Sequence, residues 1–220
     1  MSDLFAAAGE PARDCPLCPR LARFRATQRA EFPDWFNAPV PAFGGSDGQL
    51  LVVGLAPGLR GANRTGRPFT GDFAGDLLYA TLVKFGFAEG HYEQRADDGL
   101  RLVNCRITNA VRCVPPENKP EPVEIKGCNG FLTAEMKRLL RLKVIVALGQ
   151  IAHQAVLAAL GEKRSAYAFA HGAVHALKGG LLLADSYHCS RYNTNTGKLT
   201  PAMFEAVFAE VRRRLEGAPH

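Results

Sequence analysis

Phe69, Asn109 and His188 are three side chains that could together handle a flat heterocycle. An aromatic ring such as Phe69 stacks on a base. A carboxamide donates and accepts at once, so Asn109 can read a carbonyl beside an N–H. An imidazole can donate to an oxygen that gains negative charge as a glycosidic bond breaks, which is the role open to His188. Asn63 is a further polar candidate. Singly, each has a bland alternative: core packing for Phe69, turn formation for Asn109, a satisfied polar residue for His188. Their shared position at strand ends argues for a site.

The second chemical signal is sulfur. Cys15 and Cys18 form a C-x2-C pair, and Cys113 and Cys128 form a C-x14-C pair far downstream. Four thiolates so spaced suit zinc or an iron–sulfur cluster equally well by count. Both pairs lie beside prolines, which would hold the thiolates in place. Such a site would staple the N-terminal segment to the loop after the second strand, a structural task. Cys105 falls within a strand and is expected in the core. Cys189 adjoins His188, but adjacent residues of an extended chain point to opposite faces, which argues against a nucleophile pair.

Positioning these groups requires strands that end together. Leu50–Val53, Leu102–Ile107, Val144–Leu148 and Leu181–Ala184 read as four strands, each followed by a helical pattern. The glycine-rich stretch from Gly54 to Asp72, GLAPGLRGANRTGRPFTGD, links the first strand to the first core helix. Its glycines allow close backbone approach, and the helix start offers free N–H groups. Residues 108–113 run past the second strand into Pro115-Pro116, which forbid its continuation. Thr200 and Pro201 open the last helix. The alternation predicts an α/β fold, a three-layer α/β/α sandwich around a mostly parallel four-stranded sheet, as one domain over residues 1–220. Ligands in such sheets bind outside the strands' carboxyl ends.

Other stretches carry weaker expectations. Residues 1–14 read as a loose tail with a helical tendency, and in the basic segment 19–36 Leu21, Phe24 and Arg25 suit an amphipathic helix with arginines on its wet face. Trp35, Phe36 and Phe43 are expected to pin a Pro/Gly-rich wrap to the core, and residues 87–100 read as a polar loop. The chain has 220 residues, 47% of them hydrophobic, and a net charge of +6. A basic surface hints at a polyanionic partner. No apolar run is long enough to cross a bilayer, and the N-terminus lacks a signal peptide's pattern. A cytoplasmic protein without a membrane partner is expected, and unpaired cysteines agree with that.

These motifs resemble family 5 (type B) of the uracil-DNA glycosylase superfamily. The likeness rests on GLAPG at 54–58, NRTGRPFTGD at 63–72, TNAVRC at 108–113, YHCSRYN at 187–193 and the four cysteines. The resemblance implies a [4Fe-4S] cluster of structural role on Cys15, Cys18, Cys113 and Cys128. It implies a monofunctional glycosylase that flips uracil, and in a roomy pocket other deaminated bases, out of DNA and leaves an abasic site. Gly54, Leu55, Ala56, Phe69, Asn109 and His188 would bind the base, with Asn63, Asn109 and His188 catalytic. In the wider superfamily an acidic or amide side chain of the first motif positions the attacking water. Leu55 and Ala56 stand there in this sequence and cannot, so Asn63 and Asn109, with Asp72 and Asp76 behind them, become the candidates. Arg60, Arg64, Arg67, Arg191 and Lys198 would grip the backbone of uracil-containing DNA, double-stranded above all and single-stranded as a further substrate. The 191–198 loop, with Tyr192, would enter the duplex. A monomer is expected. Two other readings compete: a non-catalytic nucleic-acid-binding module with a structural four-cysteine metal site, and a phosphate-binding enzyme. The second lacks both the P-loop and the dinucleotide fingerprints.

Overall fold

The computed structural model describes residues 9–217. In chain order the elements are α1 (Pro19–Glu31), β1 (Leu50–Gly54), α2 (Ala62–Thr65), α3 (Phe73–Lys84), β2 (Ala88–Glu89), β3 (Arg101–Leu102) and β4 (Cys105–Asn109). There follow α4 (Pro122–Arg138), β5 (Val144–Leu148), α5 (Gln150–Leu160), β6 (Val174–Ala176), β7 (Leu182–Ser186), α6 (Arg191–Asn195) and α7 (Pro201–Glu216).

The main sheet has the order β4-β1-β5-β7-β6. The first four strands are parallel, as the alternation of strands and helices requires. Strand β1 is buried on both faces because its run Leu50-Leu51-Val52-Val53 is apolar throughout. Leu50 and Val52 pack toward α3 and α7 with Leu78, Leu82, Phe204 and Phe208. Leu51 and Val53 pack toward α4 and α5 with Leu132, Ala155 and Val156. Each such side chain contributes about 1.5–3 kcal/mol on burial. Helix α7 starts as expected, with the Thr200 hydroxyl accepting from Met203 N–H and Pro201 following.

The sheet is five-stranded, not four-stranded. The added edge strand, β6, runs antiparallel to β7 and is three residues long, too short for a periodic signal. The strand expected over Leu102–Ile107 is divided. Asn104 takes a φ of 51° and its side chain accepts from Gln49 N–H at 2.9 Å. Arg101 and Leu102 therefore pair with β2, and the sheet strand begins at Cys105. Residues 87–100 are no mere polar loop, since Phe87, Ala88 and Leu100 join the core.

Of the expected N-terminal tail, residues 1–8 lie outside the described residues. From there the chain is anchored, with Glu10 paired to the buried Arg112 at 2.9 Å. Helix α1 has its inward stripe at Leu21, Arg25 and Gln28, so Arg25 faces inward and not into water. Phe43 bridges to Ile107, but Trp35 stacks on Phe32, with ring centroids 4.0 Å apart, away from the core. No described helix is long and apolar enough to cross a membrane.

Candidate active site

Parallel strands in register bring their carboxyl ends to one edge, and Gly54 and Asn109 are direct partners across β1 and β4. The cavity there has a volume of about 590 Å³. Leu55, Ala56, Phe69, Asn109, His188 and Arg191 are in its wall, together with Arg60, Asp72 and Asn118. Asn118 was not anticipated. It sits past Pro115-Pro116 beside Glu117, and both residues have positive φ (57° and 54°). Asparagine tolerates that conformation, the one trace of this loop a sequence carries. Gly149 approaches His188 from below without reaching the cavity wall.

Gly54 is required by shape. A Cβ there would stand 2.4 Å from Asn109 Oδ1 and 2.5 Å from Phe69 Cζ. The missing side chain is the space into which Phe69 and Asn109 converge. Asn109 is buried, and its Oδ1 has no hydrogen-bond partner. Buried polar atoms are rarely left unpaired, so this one is held ready for something that donates. The rings of Phe69 and His188 lie 5.9 Å apart and 29° from parallel. Burial pushes the His188 imidazole down to about 4, so the ring is neutral near pH 7. Burial raises the Asp72 carboxyl, against N–H groups of Gly75 and Ala74, which it caps at the start of α3.

Phe69 has a φ of 53°, a strained conformation for a bulky residue, and its surroundings impose it. Tyr79 Oη donates to Pro68 O at 2.6 Å and Tyr92 Oη donates to Phe69 O at 3.0 Å. A Cβ at Gly75 would stand 1.9 Å from Phe69 O, so the α3 backbone closes the turn from beneath. Behind it lies Arg67, which corrects an expectation. Arg67 is buried and donates to both Asp98 carboxylate oxygens at 2.7 Å, within ring contact of Phe43, Tyr79 and Tyr92. Burial would raise the Asp98 carboxyl, but Arg67 and the N–H groups of Glu93 and Leu100 outweigh it and hold it well below the usual range. Arg67 braces the Phe69 turn and is not free for a phosphate.

Asn63 is a second correction. Its Nδ2 donates to Asn37 Oδ1 at 2.8 Å, and it is buried outside the cavity wall. It ties the glycine-rich loop to the wrap after α1. Arg60, Arg64, Arg191, Tyr192 and Lys198 are all exposed, and Arg60 and Arg191 are in the cavity wall. The expected 191–198 loop begins as the short helix α6, whose Ser190 hydroxyl accepts from Asn193 N–H.

Cys15, Cys18, Cys113 and Cys128 line one pocket between α1, α4 and the segment after β4, all as free thiols. Arg112 N–H donates to Cys128 Sγ and Arg25 Nη1 to Cys113 Sγ, each at 3.3 Å. Burial raises the Cys113 thiol to about 11 and the Cys128 thiol to about 12, so protons leave only if something positive replaces them. Four sulfurs around one zinc ion would lie about 3.8 Å apart, from the Zn–S bond length. Among the described residues no three of these sulfurs come within 4.8 Å of one another. The four sulfurs are a donor set that fits a thiolate-bound metal centre, an iron–sulfur cluster among them. A second set of ligand-type groups, His153, His175 and Asp185, is joined by hydrogen-bond contacts of 2.7 and 3.0 Å that tie α5 and β6 to β7. Cys105 and Cys189 are buried in the core, apart from both sets.

The sequence profile of the Uracil DNA glycosylase superfamily matches residues 41–212. The chain is 46% identical over 205 residues to a Type-5 uracil-DNA glycosylase of Thermus thermophilus, covering 90% of this chain and 93% of that protein. It is 42% identical to the Type-5 uracil-DNA glycosylase of Mycobacterium bovis, covering 90% and 77%. It is 40% identical to that of Pyrobaculum aerophilum, covering 91% and 87%. The matched span takes in the strand-end cavity from Leu55 to Arg191, and on that agreement of sequence the chain belongs to the uracil DNA glycosylase superfamily.

Proposed function

We propose that the chain is a DNA repair enzyme that flips uracil out of DNA and hydrolyses its N-glycosidic bond, leaving an abasic site. The observation that carries the chemistry is Asn109 Oδ1, a buried acceptor without a partner in the wall of the cavity, with Gly54 behind it. Uracil N3–H would donate to it, and the adjacent carbonyl would accept from Nδ2. Phe69 stacks on the ring. As the C1′–N1 bond breaks, negative charge gathers on the base, and a neutral His188 donates to the oxygen that carries it. Leu55 and Ala56 have no polar side chain for the water, which leaves Asn118 and Asp72 as polar groups of the wall able to hold it. The small side chain of Ala56 leaves room for bases other than uracil.

Flipping costs a few kcal/mol, least at a mismatch, so uracil opposite guanine is the favoured substrate. Arg60, Arg64, Arg191 and Lys198 take the backbone, with salt-dependent binding, and Tyr192, 74% exposed, enters the duplex. Single strands are a further substrate. Cys15, Cys18, Cys113 and Cys128 would hold a [4Fe-4S] cluster that staples α1 and α4 to the strand-end loop; it scaffolds and takes no part in bond cleavage. We place the protein in the cytoplasm as a monomer of one domain.

The test uses a duplex with one uracil opposite guanine, incubated with protein and cleaved with alkali at abasic sites. Wild type gives a strand break, and Asn109→Ala gives little or none while still binding the duplex. Tight binding by wild type with intact strands would turn the reading to the non-catalytic module.

A further inference from the structure

Buried guanidinium groups need counter-charges, because a desolvated cation without one is costly. This fold supplies them in nearly every case. Arg67 has Asp98, Arg112 lies between Glu10 and Glu135, and the partly buried Arg106 has Glu135. Arg25 is the exception. It is 4% exposed, and among the described residues no carboxylate forms an ion pair with it. Its hydrogen bonds go to Cys113 Sγ at 3.3 Å and Cys15 O at 3.0 Å. It thus reaches both cysteine pairs from α1; Asp14 lies within its electrostatic reach, but the atoms it bonds are sulfur and a carbonyl oxygen.

We propose that Arg25 is the built-in counter-cation of the cluster held by Cys15, Cys18, Cys113 and Cys128. This rests on the cluster reading above. Four thiolates around an iron–sulfur core leave a net negative charge, and the guanidinium balances part of it where water does not reach. Hydrogen bonds and positive charge at a ligating sulfur stabilise the more reduced, more negative state, which raises the potential. The Cys15 carbonyl contact also fixes the loop that carries the first ligand pair. Arg25 is therefore a positioning and tuning residue for the cofactor, with no part in base excision.

The experiment compares wild type, Arg25→Met and Arg25→Lys, all purified without air. Iron and sulfide per chain, the reduction midpoint, and the rate of iron loss to a chelator are measured. Loss of a group that supports a metal's ligands commonly weakens metal holding by about 10–100-fold, so Arg25→Met should lose iron about tenfold faster or more. Its midpoint should fall, while Arg25→Lys keeps the charge and lies between. If Arg25→Met does not fold, Arg25→Lys alone must still show faster iron loss and a lower midpoint. Unchanged midpoint and iron-loss rate in the folded variants would overturn the proposal. Wild type that holds zinc or no iron would overturn the cluster itself, and the role of Arg25 with it, a result visible before any variant is made.

Discussion

The strand-end cavity and the cysteine corner solve opposite problems. In the cavity the fold leaves groups unsatisfied. Asn109 Oδ1 has no partner, His188 is kept neutral, and Phe69 is held at a positive φ. In the corner the fold supplies partners in advance, with Arg112 N–H and Arg25 directed at sulfurs. A site that must receive and release a substrate keeps its polar groups waiting. A site that must never let go arranges them beforehand. Two arginines show the contrast. Arg67 is closed on Asp98 and three aromatic rings, whereas Arg25 is closed only on sulfur and a carbonyl.

The sharpest way to break that contrast is Arg67→Met. It leaves the Asp98 carboxylate, 0% exposed, without its cation. The expected cost is about 3–5 kcal/mol of stability, read as a lower urea midpoint. Excision activity should fall with it as the Phe69 turn relaxes. A variant as stable as wild type would mean that the aromatic rings and not the ion pair hold the turn.

Next in size is His188→Ala. Removing one donor to developing charge costs about 10²–10³ in rate. Single-turnover excision should show that loss, while duplex affinity, iron content and urea midpoint stay near wild type. Equal losses of rate and binding would make His188 structural and erase the distinction between waiting and braced groups.

The smallest expected effect is on pH. With His188 pushed down to about 4, the single-turnover rate should be flat from pH 8 to roughly pH 5. An inflection near 6.5 would mean that the imidazolium is the donor. The sign for stability follows. Above pH 6.5 both folded and unfolded imidazoles are neutral, and the full stability is present. Between 6.5 and about 4 the unfolded chain takes a proton that the folded ring refuses, so stability falls as pH falls. His188→Ala should remove that slope.

Much of this was legible in the residues. The run at Leu50–Val53, the Thr200-Pro201 start and the spacing of Cys15, Cys18, Cys113 and Cys128 are local patterns whose physics is local too. So was the convergence of Phe69, Asn109 and His188, because parallel strands in register end together. Asn63, a candidate in the sequence, lies outside the cavity wall, and Asn118, which the sequence did not single out, lies within it. Both are asparagines in glycine- or proline-rich loops, and only the position of Asn37 decides that Asn63 turns away.

By itself the sequence determined the alternation of the main parallel strands with helices, the Thr200 cap, and the inventory of groups able to stack, donate or bind metal, because periodicity and spacing act within a few residues. The tertiary structure alone decided which of these groups meet. It added β6 at the sheet edge, broke the second strand at Asn104, buried Arg67 against Asp98 and turned Arg25 toward sulfur. An arginine's length and charge are the same on a wet face as in a core. Where it goes depends on whether a carboxylate or a cysteine sulfur 31 or 88 residues away arrives to meet it.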